Sequence, residues 1–482
     1  MLLATVLGSS IVALDATVVN VALPSIGRDL GAGVDGLQWI VNGYMLTLAA
    51  LILLGGSLGD RFGRRRVFLI GVIWFAIASV LCGLAPSLPL LVVARALQGI
   101  GGALLTPGSL AIIQASFASN DRGPAIGAWS GLGGIATAIG PFMGGWLVES
   151  ASWRLIFLLN VPLALVVVLV SARHVAETSD PNAKHGIDVL GAVLATLALA
   201  GVTFALIQAP AAGGLSTPIV LSALVGTGCV AGFVLAEAHQ RQPMLPLDLF
   251  TSRQFLGANL VTLAVYAALG AVMFLLMLEL QQGLGYSPLQ AGAAGVPVTI
   301  IMLVLSARAG RLAQRIGPRL PMTLGPLGAG AGMLLMARVG PGADYLTVVL
   351  PALVAFGLGL ALTVAPLTAT VLAATSTSRA GIASAVNNAV ARVGSLLAVA
   401  GLPRLAGLTG PAATDPLLFS AGFQTAMVLC AGLAVGGAAI AWLMIRDDLP
   451  LEERYVHDHH CALDGPPLRG ADRQVVIAPN LP

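Results

Sequence analysis

The chain has 482 residues, 57% of them hydrophobic and only 9% charged, where a soluble domain carries about 25% charge. That deficit excludes a soluble enzyme and a disordered chain, and four cysteines, three of them inside apolar runs, give no disulfide framework. A net charge of +3 from scattered basic residues leaves no footprint for nucleic acid.

A helix needs about 20 mostly apolar residues to cross the hydrocarbon core. Runs of that kind fall near 2–26, 37–58, 67–85, 90–116, 124–148, 154–172, 188–208 and 217–237. They continue near 255–282, 289–307, 320–338, 346–372, 381–403 and 418–445. The pattern predicts an all-α integral membrane protein with fourteen transmembrane helices. Barrel strands would alternate polar and apolar residues, and these runs do not. The first run has no basic segment ahead of it and continues to Leu23, so it reads as a retained span rather than a cleaved signal. With a cytoplasmic N-terminus, 18 basic residues fall in inside loops and the tail, Lys184 and Arg241 among them. Only Arg28, Arg154, Arg338 and Arg404 fall outside, a bias that puts both termini in the cytoplasm. Arg outnumbers Lys 23 to 1, as in a GC-rich bacterial genome.

Asp15 lies halfway through the first run and is the only acid so near a midplane. A charge at that depth costs a few kcal/mol or more, which makes it a functional candidate by default. Burial raises a carboxyl pKa and a nearby cation lowers it. Arg95 approaching or leaving Asp15 could therefore unload or load a proton; the competing reading is a static ion pair. Between spans two and three lies Gly56-Ser57-Leu58-Gly59-Asp60-Arg61-Phe62-Gly63-Arg64-Arg65, and between spans ten and eleven Gly310-Arg311-Leu312-Ala313-Gln314-Arg315-Ile316-Gly317-Pro318-Arg319. The shared G-x-L-x-x-R-x-G-x-R, at an offset of 254, predicts two parallel six-helix repeats with two extra helices between them. Such repeats are typical of secondary transporters, with the substrate site between the halves. The expected division is 1–172, 173–254 for the extra helices, 255–445, and a cytoplasmic polar tail at 446–482.

In span four, Arg95, Gln98, Gly99, Gly102 and Thr106 share one face. Span five carries two small-residue ridges, Gly127, Gly131, Gly134, Ala138 and Gly145, and Gly133, Thr137, Gly140 and Gly144, with a kink expected at Pro141. Glu279 falls near the outer end of span nine, where it would either meet water or titrate as a second proton site. Arg392 shares a face with Gly381, Ser384, Asn388 and Ser395, and reads as cavity lining. Asn20, Tyr44 and Gln98 are further cavity candidates. Asp458-His459-His460-Cys461 spells an acyltransferase tetrad without its cysteine-rich scaffold, no metal site is expected there, and no Walker loop is present.

These motifs together resemble the fourteen-span drug:proton antiporters of the major facilitator superfamily, the EmrB/QacA type. The resemblance rests on Leu14-Asp15-Ala16-Thr17-Val18-Val19-Asn20 in span one, the Gly56–Arg65 segment, Arg95-Ala96-Leu97-Gln98-Gly99, and Gly140-Pro141-Phe142-Met143-Gly144-Gly145. Trp153-Arg154 through Asn160-Val161-Pro162, Asp188-Val189-Leu190-Gly191 and Pro243-Met244-Leu245-Pro246-Leu247 also fit. Two departures stand out: Gln314 replaces the acid of the second repeat, and the chain starts inside span one without the family's short basic lead. The resemblance implies a proton-coupled efflux antiporter in the bacterial cytoplasmic membrane, working by alternating access, with no cofactor beyond the proton gradient. Its expected partners are small lipophilic or cationic substrates, protons and the bilayer. Asp15, Arg95 and Glu279 would couple protons. Gly56, Asp60, Arg61, Gly63, Arg64 and Arg65 would form a conformational loop, and Gly140, Pro141, Gly144 and Gly145 the antiporter motif. A dedicated exporter of one metabolite, a nutrient symporter and an acyltransferase built on Cys461 are the alternatives.

Overall fold

A computed structural model describes residues 1–117, 119–179, 186–211, 216–240, 243–376, 379–410 and 415–447. Lys184, Arg241 and the His457–Cys461 segment lie outside the described residues. The first group of helices comprises α1 (Leu2–Leu30), α2 (Val34–Phe62), α3 (Arg64–Gly83), α4 (Leu88–Ser116), α5 (Ser119–Ser150), α6 (Arg154–Leu158) and α7 (Asn160–His174). A hairpin follows, α8 (Val189–Ala211) and α9 (Thr217–His239). The last group is α10 (Arg253–Leu278), α11 (Pro288–Ala294), α12 (Val296–Ile316), α13 (Arg319–Met336), α14 (Leu350–Ala373), α15 (Ala380–Leu405) and α16 (Pro416–Met444). Local chemistry sets several ends. Gly31, at φ 63°, closes α1 with its N–H on the Gly27 carbonyl. Ser287 and Gln290 form a reciprocal capping box at α11, and the Asp415 carboxylate accepts from the Leu417 and Leu418 amides at α16.

Among the described residues, twelve helical segments are long and apolar enough to cross a membrane, against fourteen expected. The two absent from that set are α5 and α13, helices of 32 and 18 residues. α13 is only 18 residues long and opens on Arg319, so that charge falls within its one full-length window. The helices also outrun the apolar stretches: α2 carries Asp60 and Arg61 in its last turn, and α12 carries Arg308, Arg311 and Arg315. The expected Gly56–Arg65 loop is therefore mostly helix, broken at Gly63 alone, where φ is +104°.

In the first group, α4 packs on α2 and α3, and α1 on α5 and α7; in the last, α10 packs on α15 and α16, and α13 on α14 and α16. The α8–α9 hairpin crosses with Gly201 against Gly226 and docks through α8 onto α2 and α15, at the seam between the groups. An apolar cavity of about 310 Å³ opens there, lined by Ala50, Leu53, Leu199, Phe233 and Val390 among others. Its one polar liner, Asn259, is already bonded to the Phe255 carbonyl and to Asn387.

Between α1–α7 and α10–α16, every hydrogen bond among the described residues lies away from the arginine-rich Gly63 and Gly317 turns. Gln38 donates to the Val399 and Ala400 carbonyls at 2.6 and 3.0 Å, and Gln281 to the Val21 carbonyl at 2.8 Å. The Glu149 carboxylate accepts from the Ser287 hydroxyl at 2.6 Å and the Leu289 amide at 3.1 Å. The two groups are thus pinned together at one end.

Candidate functional site

The Asp15 carboxylate sits in a closed cage near the middle of α1. Arg95 donates to Oδ2 at 2.5 Å, and Gln98 and Asn160 donate to Oδ1 at 2.8 and 3.2 Å. The Arg95 guanidinium also reaches Gln98 Oε1 at 2.6 Å and the Ile40 carbonyl at 3.2 Å, and lies over the Tyr44 ring, 4.3 Å from its centroid. Ser79 bridges Gln98 and Asn160 from α3. Asp15, Arg95 and Gln98 are 2%, 1% and 0% exposed, so the pair is dry and its charges are met by fixed donors and acceptors. A buried pair of this kind contributes little net stability, but removing one partner strands the other at about 3–5 kcal/mol. The break between α6 and α7 at Leu159 sets Asn160 at the head of α7, from where it reaches Asp15.

The structure brings Asp15 and Arg95 together, places the cavity candidate Gln98 beside them, and adds Ser79 and Asn160, which sequence reasoning missed. Asn160 carried a signal, since it belongs to the Trp153–Pro162 motif, whereas Ser79 lies unmarked in an apolar run. Glu279 does not join them. It lies in a π-helical turn, Glu279–Gly283, following α10, and accepts from Ser420 of α16 at 2.6 Å, with its second oxygen unpartnered. It is 0% exposed, which corrects the alternative that it meets water: Phe274–Gln281 is buried on every side where the end of α10 packs on α16. Of the cavity candidates, Asn20 bonds back to the Ala16 carbonyl of its own helix and Asn388 to that of Ser384, exposed. Tyr44 is fully buried against Arg95, and Arg392 is half-buried.

The two repeated turns share a device that the sequence did not reveal. Asp60 pairs with Arg64 four residues on, at 2.8 Å. The start of α3 is held by Glu177, beyond α7, whose oxygens accept from the Arg65 and Arg66 amides at 3.0 and 3.1 Å. In the second repeat Asp447, beyond α16, accepts from the Arg319 amide at 3.0 Å and fills the space beside Gly317. Each group therefore closes its last helix onto the start of its third with a carboxylate at a helix N-terminus. Glu177→Ala should cost about 1–2 kcal/mol, read as a lower melting temperature. The Asp447→Ala loss should add to it independently, because the two caps share no partner. A double variant no less stable than wild type would remove the role.

Gly140 and Gly144 face α1, where β-carbons would strike Thr17 and Val18; the first would meet the Thr17 hydroxyl and the second lie 2.7 Å from Val18 Cγ1. Gly145 faces α11, where a β-carbon would run into the Pro288 carbonyl and lie 2.8 Å from Leu289 Cα. Gly292 of α11 answers by pressing on the Pro141 carbonyl. Gly133 and Gly134 would meet nothing within 4 Å. Among the described glycines of α5, close approach thus begins at Gly140, which meets α1 at mid-depth, and continues to Gly145. The motif divides by role: Gly140 and Gly144 pack within the first group, whereas Gly145 and the Pro141 carbonyl meet α11 across the seam.

Residues 5–399 match the family model of the Major Facilitator Superfamily. The Multidrug resistance protein Stp of Mycobacterium tuberculosis is 36% identical over 401 residues, covering 83% of this chain and 74% of that protein. The Tetracenomycin C resistance and export protein of Streptomyces glaucescens is 36% identical over 406 residues, with coverage of 83% and 74%. The Puromycin resistance protein pur8 of Streptomyces alboniger is 35% identical over 451 residues, with coverage of 90% and 89%. Among solved structures, a POT family transporter in complex with a thioalcohol conjugated peptide gives a TM-score of 0.68 at 14% identity, covering 92% of this chain and 95% of that one. An inward-facing, unoccupied bacterial homolog of the human lysosomal transporter Spinster gives 0.64 at 20% identity, covering 92% and 96%. Those likenesses speak to the fold alone. The chain belongs to the Major Facilitator Superfamily.

Proposed function

We propose that the chain is a proton-coupled exporter of lipophilic small molecules, an antiporter of the fourteen-span drug:proton type in a bacterial cytoplasmic membrane. The buried Asp15–Arg95 pair carries this reading. Proton arrival on Asp15 neutralises the carboxylate and leaves Arg95 to Gln98, the Ile40 carbonyl and the Tyr44 ring, so the protonated and ionised states favour different packings of α1 against α4. Each proton crossing about 100 mV supplies about 2.3 kcal/mol, roughly a fifty-fold concentration ratio. The relatives named for drug resistance support export, and the apolar cavity at the seam supports lipophilic cargo. Relatives named for single antibiotics favour, as a second reading, an exporter dedicated to one compound. No bond is made or broken in this cycle.

In this reading α5 and α13 also span the membrane, since each packs along helices that pass the apolarity test: α5 on α1, and α13 on α14 and α16. The units are 1–172, the extra pair within 173–254, 255–445 and the tail. The arginine-rich turns face the cytoplasm, so the pinned end is external and the conformation faces inward. In inverted vesicles energised to an acidic lumen, a transported dye should accumulate and should leak out when a protonophore is added. Accumulation that ignores the protonophore would refute proton coupling. For topology, Cys461 should react with an impermeant thiol reagent in inverted vesicles and stay silent in intact cells. Cys82 and Cys430 are buried and Cys229 of α9 is part-exposed, so the labelling is read in a Cys229→Ser background.

A further inference from the structure

Two stretches marked in the sequence, Asp188–Gly191 and Pro243–Leu247, take no part in the Asp15 cage, and the fold brings them together. Asp188, just ahead of α8, accepts through Oδ1 from the Gly191 amide at 2.6 Å and the Gln240 side chain at 3.0 Å. Its Oδ2 accepts from the Met244 amide at 3.3 Å. Glu237, near the end of α9, accepts from the Leu245 amide at 3.0 Å. The two carboxyl groups flank Gly191, where a β-carbon would strike Asp188 Oδ2 and lie 2.8 Å from Glu237 Oε1. Both acids are buried, at 8% and 2% exposure. Together they hold Met244 and Leu245, where the chain turns from the hairpin towards α10.

What they hold is a wall of the apolar cavity, since Met244, Leu245 and Phe250 all line it. α2, α8, α9 and α10 line it from the halves nearest the arginine-rich turns, so the 243–250 segment lies across its cytoplasmic end. Its outer wall is α9, the least buried of the twelve spans. The liner Val230 is 47% exposed on that helix, which gives a ligand access from the bilayer. The lining carries no charge among the described residues, and its one polar side chain, Asn259, is already bonded. A charged ligand would therefore enter without a partner, which is costly. An apolar cavity of about 150 Å³ takes one benzene. A volume of about 310 Å³ suits a small fused-ring system, to which Phe233 and Phe250 add aromatic contact.

We propose that this cavity binds uncharged, apolar ring systems, and that Asp188 and Glu237 are positioning residues that keep its cytoplasmic wall closed over them. This rests on the export reading and narrows it: the cationic ligands expected from the family resemblance find nothing here to pair with.

The test uses the full chain in lipid nanodiscs and iodonaphthyl azide, a neutral naphthalene that inserts into neighbouring C–H bonds on illumination, with the labelled residues read by mass spectrometry. Label should appear on Leu199, Phe233 and Leu260 of the cavity and be suppressed by excess naphthalene. Label on the exposed Leu221, Leu224 and Leu235 of α9 should not saturate. N-methylquinolinium, a cation of the same shape, should not suppress the cavity label. Leu199→Trp, which fills the cavity, should abolish the suppressible label at Phe233 and Leu260. Glu237→Ala should reduce it roughly two- to tenfold by freeing Leu245. Glu237→Gln, whose amide oxygen still accepts from Leu245, should stay near wild type. A merely structural Glu237 would lower the melting temperature of the Ala variant and leave its cavity label unchanged. Label confined to exposed residues, suppression by dodecane but not naphthalene (an acyl-chain pocket), or equal suppression by N-methylquinolinium overturns the proposal. No proton gradient is involved, so proton coupling can fail while this site stands, and the site can fail while coupling stands.

Discussion

Asp15→Asn should reduce proton-driven accumulation of substrate to the level of empty vesicles while leaving substrate binding within a few-fold of wild type. The carboxylate is the one acid in the cage, and its two oxygens accept from Arg95, Gln98 and Asn160. Asparagine keeps the shape but cannot take up a proton, and it turns one acceptor into a donor facing other donors. Arg95 is then a buried charge with no counter-ion, a loss of about 3–5 kcal/mol, so the variant should also melt at a lower temperature. These two effects separate by pairing the change with Arg95→Gln. The double neutral variant should recover thermal stability, since no lone charge remains, yet should still not accumulate substrate. Recovery of both would make the pair a static staple and move coupling elsewhere, with Glu279 the next candidate. Asp15→Glu keeps the titrating group but adds a methylene inside a cage whose partners stand at 2.5–3.2 Å. Overpacking costs about 1–3 kcal/mol, so slow but proton-dependent transport is the expected outcome.

The parts of this molecule that are periodic along the chain were legible in the sequence; those that depend on meeting across it were not. Apolar runs located the helices, missing mainly how far α2 and α12 extend beyond them, because charged residues in a last turn do not stop a helix. The count of fourteen and the count of twelve differ at α5 and α13, and α13 falls short because its 18 residues open on Arg319. Asp15 and Arg95 could be paired in advance because a lone charge at membrane depth requires a partner. Asn160 could not, since it stands 145 residues from Asp15 and has no charge to announce it. Glu177 and Asp447 were silent for a related reason: each is an ordinary acid in a polar segment until the fold returns it to a helix start. The burial of Glu279 was not legible because closeness to the end of a run suggests water, whereas α16 covers that end of α10.

Gly145→Val should shift the transporter away from the conformation described here, whereas Gly144→Val should not. A β-carbon on Gly145 meets the Pro288 carbonyl and Leu289 Cα across the seam. Backbone on both sides leaves relief only by separating α5 from α11. At Gly144 the first atom met is the Val18 side chain within the first group, so the strain stays inside one unit and appears as lost stability. An overpacking cost of about 1–3 kcal/mol, borne only by the state in which the seam is closed, changes the balance between states by about 5- to 150-fold. Cysteines at Glu149 and Ser287, whose side chains touch across the same end at 2.6 Å, would report that balance through their rate of disulfide formation. The rate should fall several-fold in Gly145→Val and stay near the parent value in Gly144→Val, while the latter melts earlier. Transport should fail in the first because one end no longer seals. Equal cross-linking in the two variants would mean that the α5–α11 contact does not open during the cycle, and that Gly145 is packing like its neighbour.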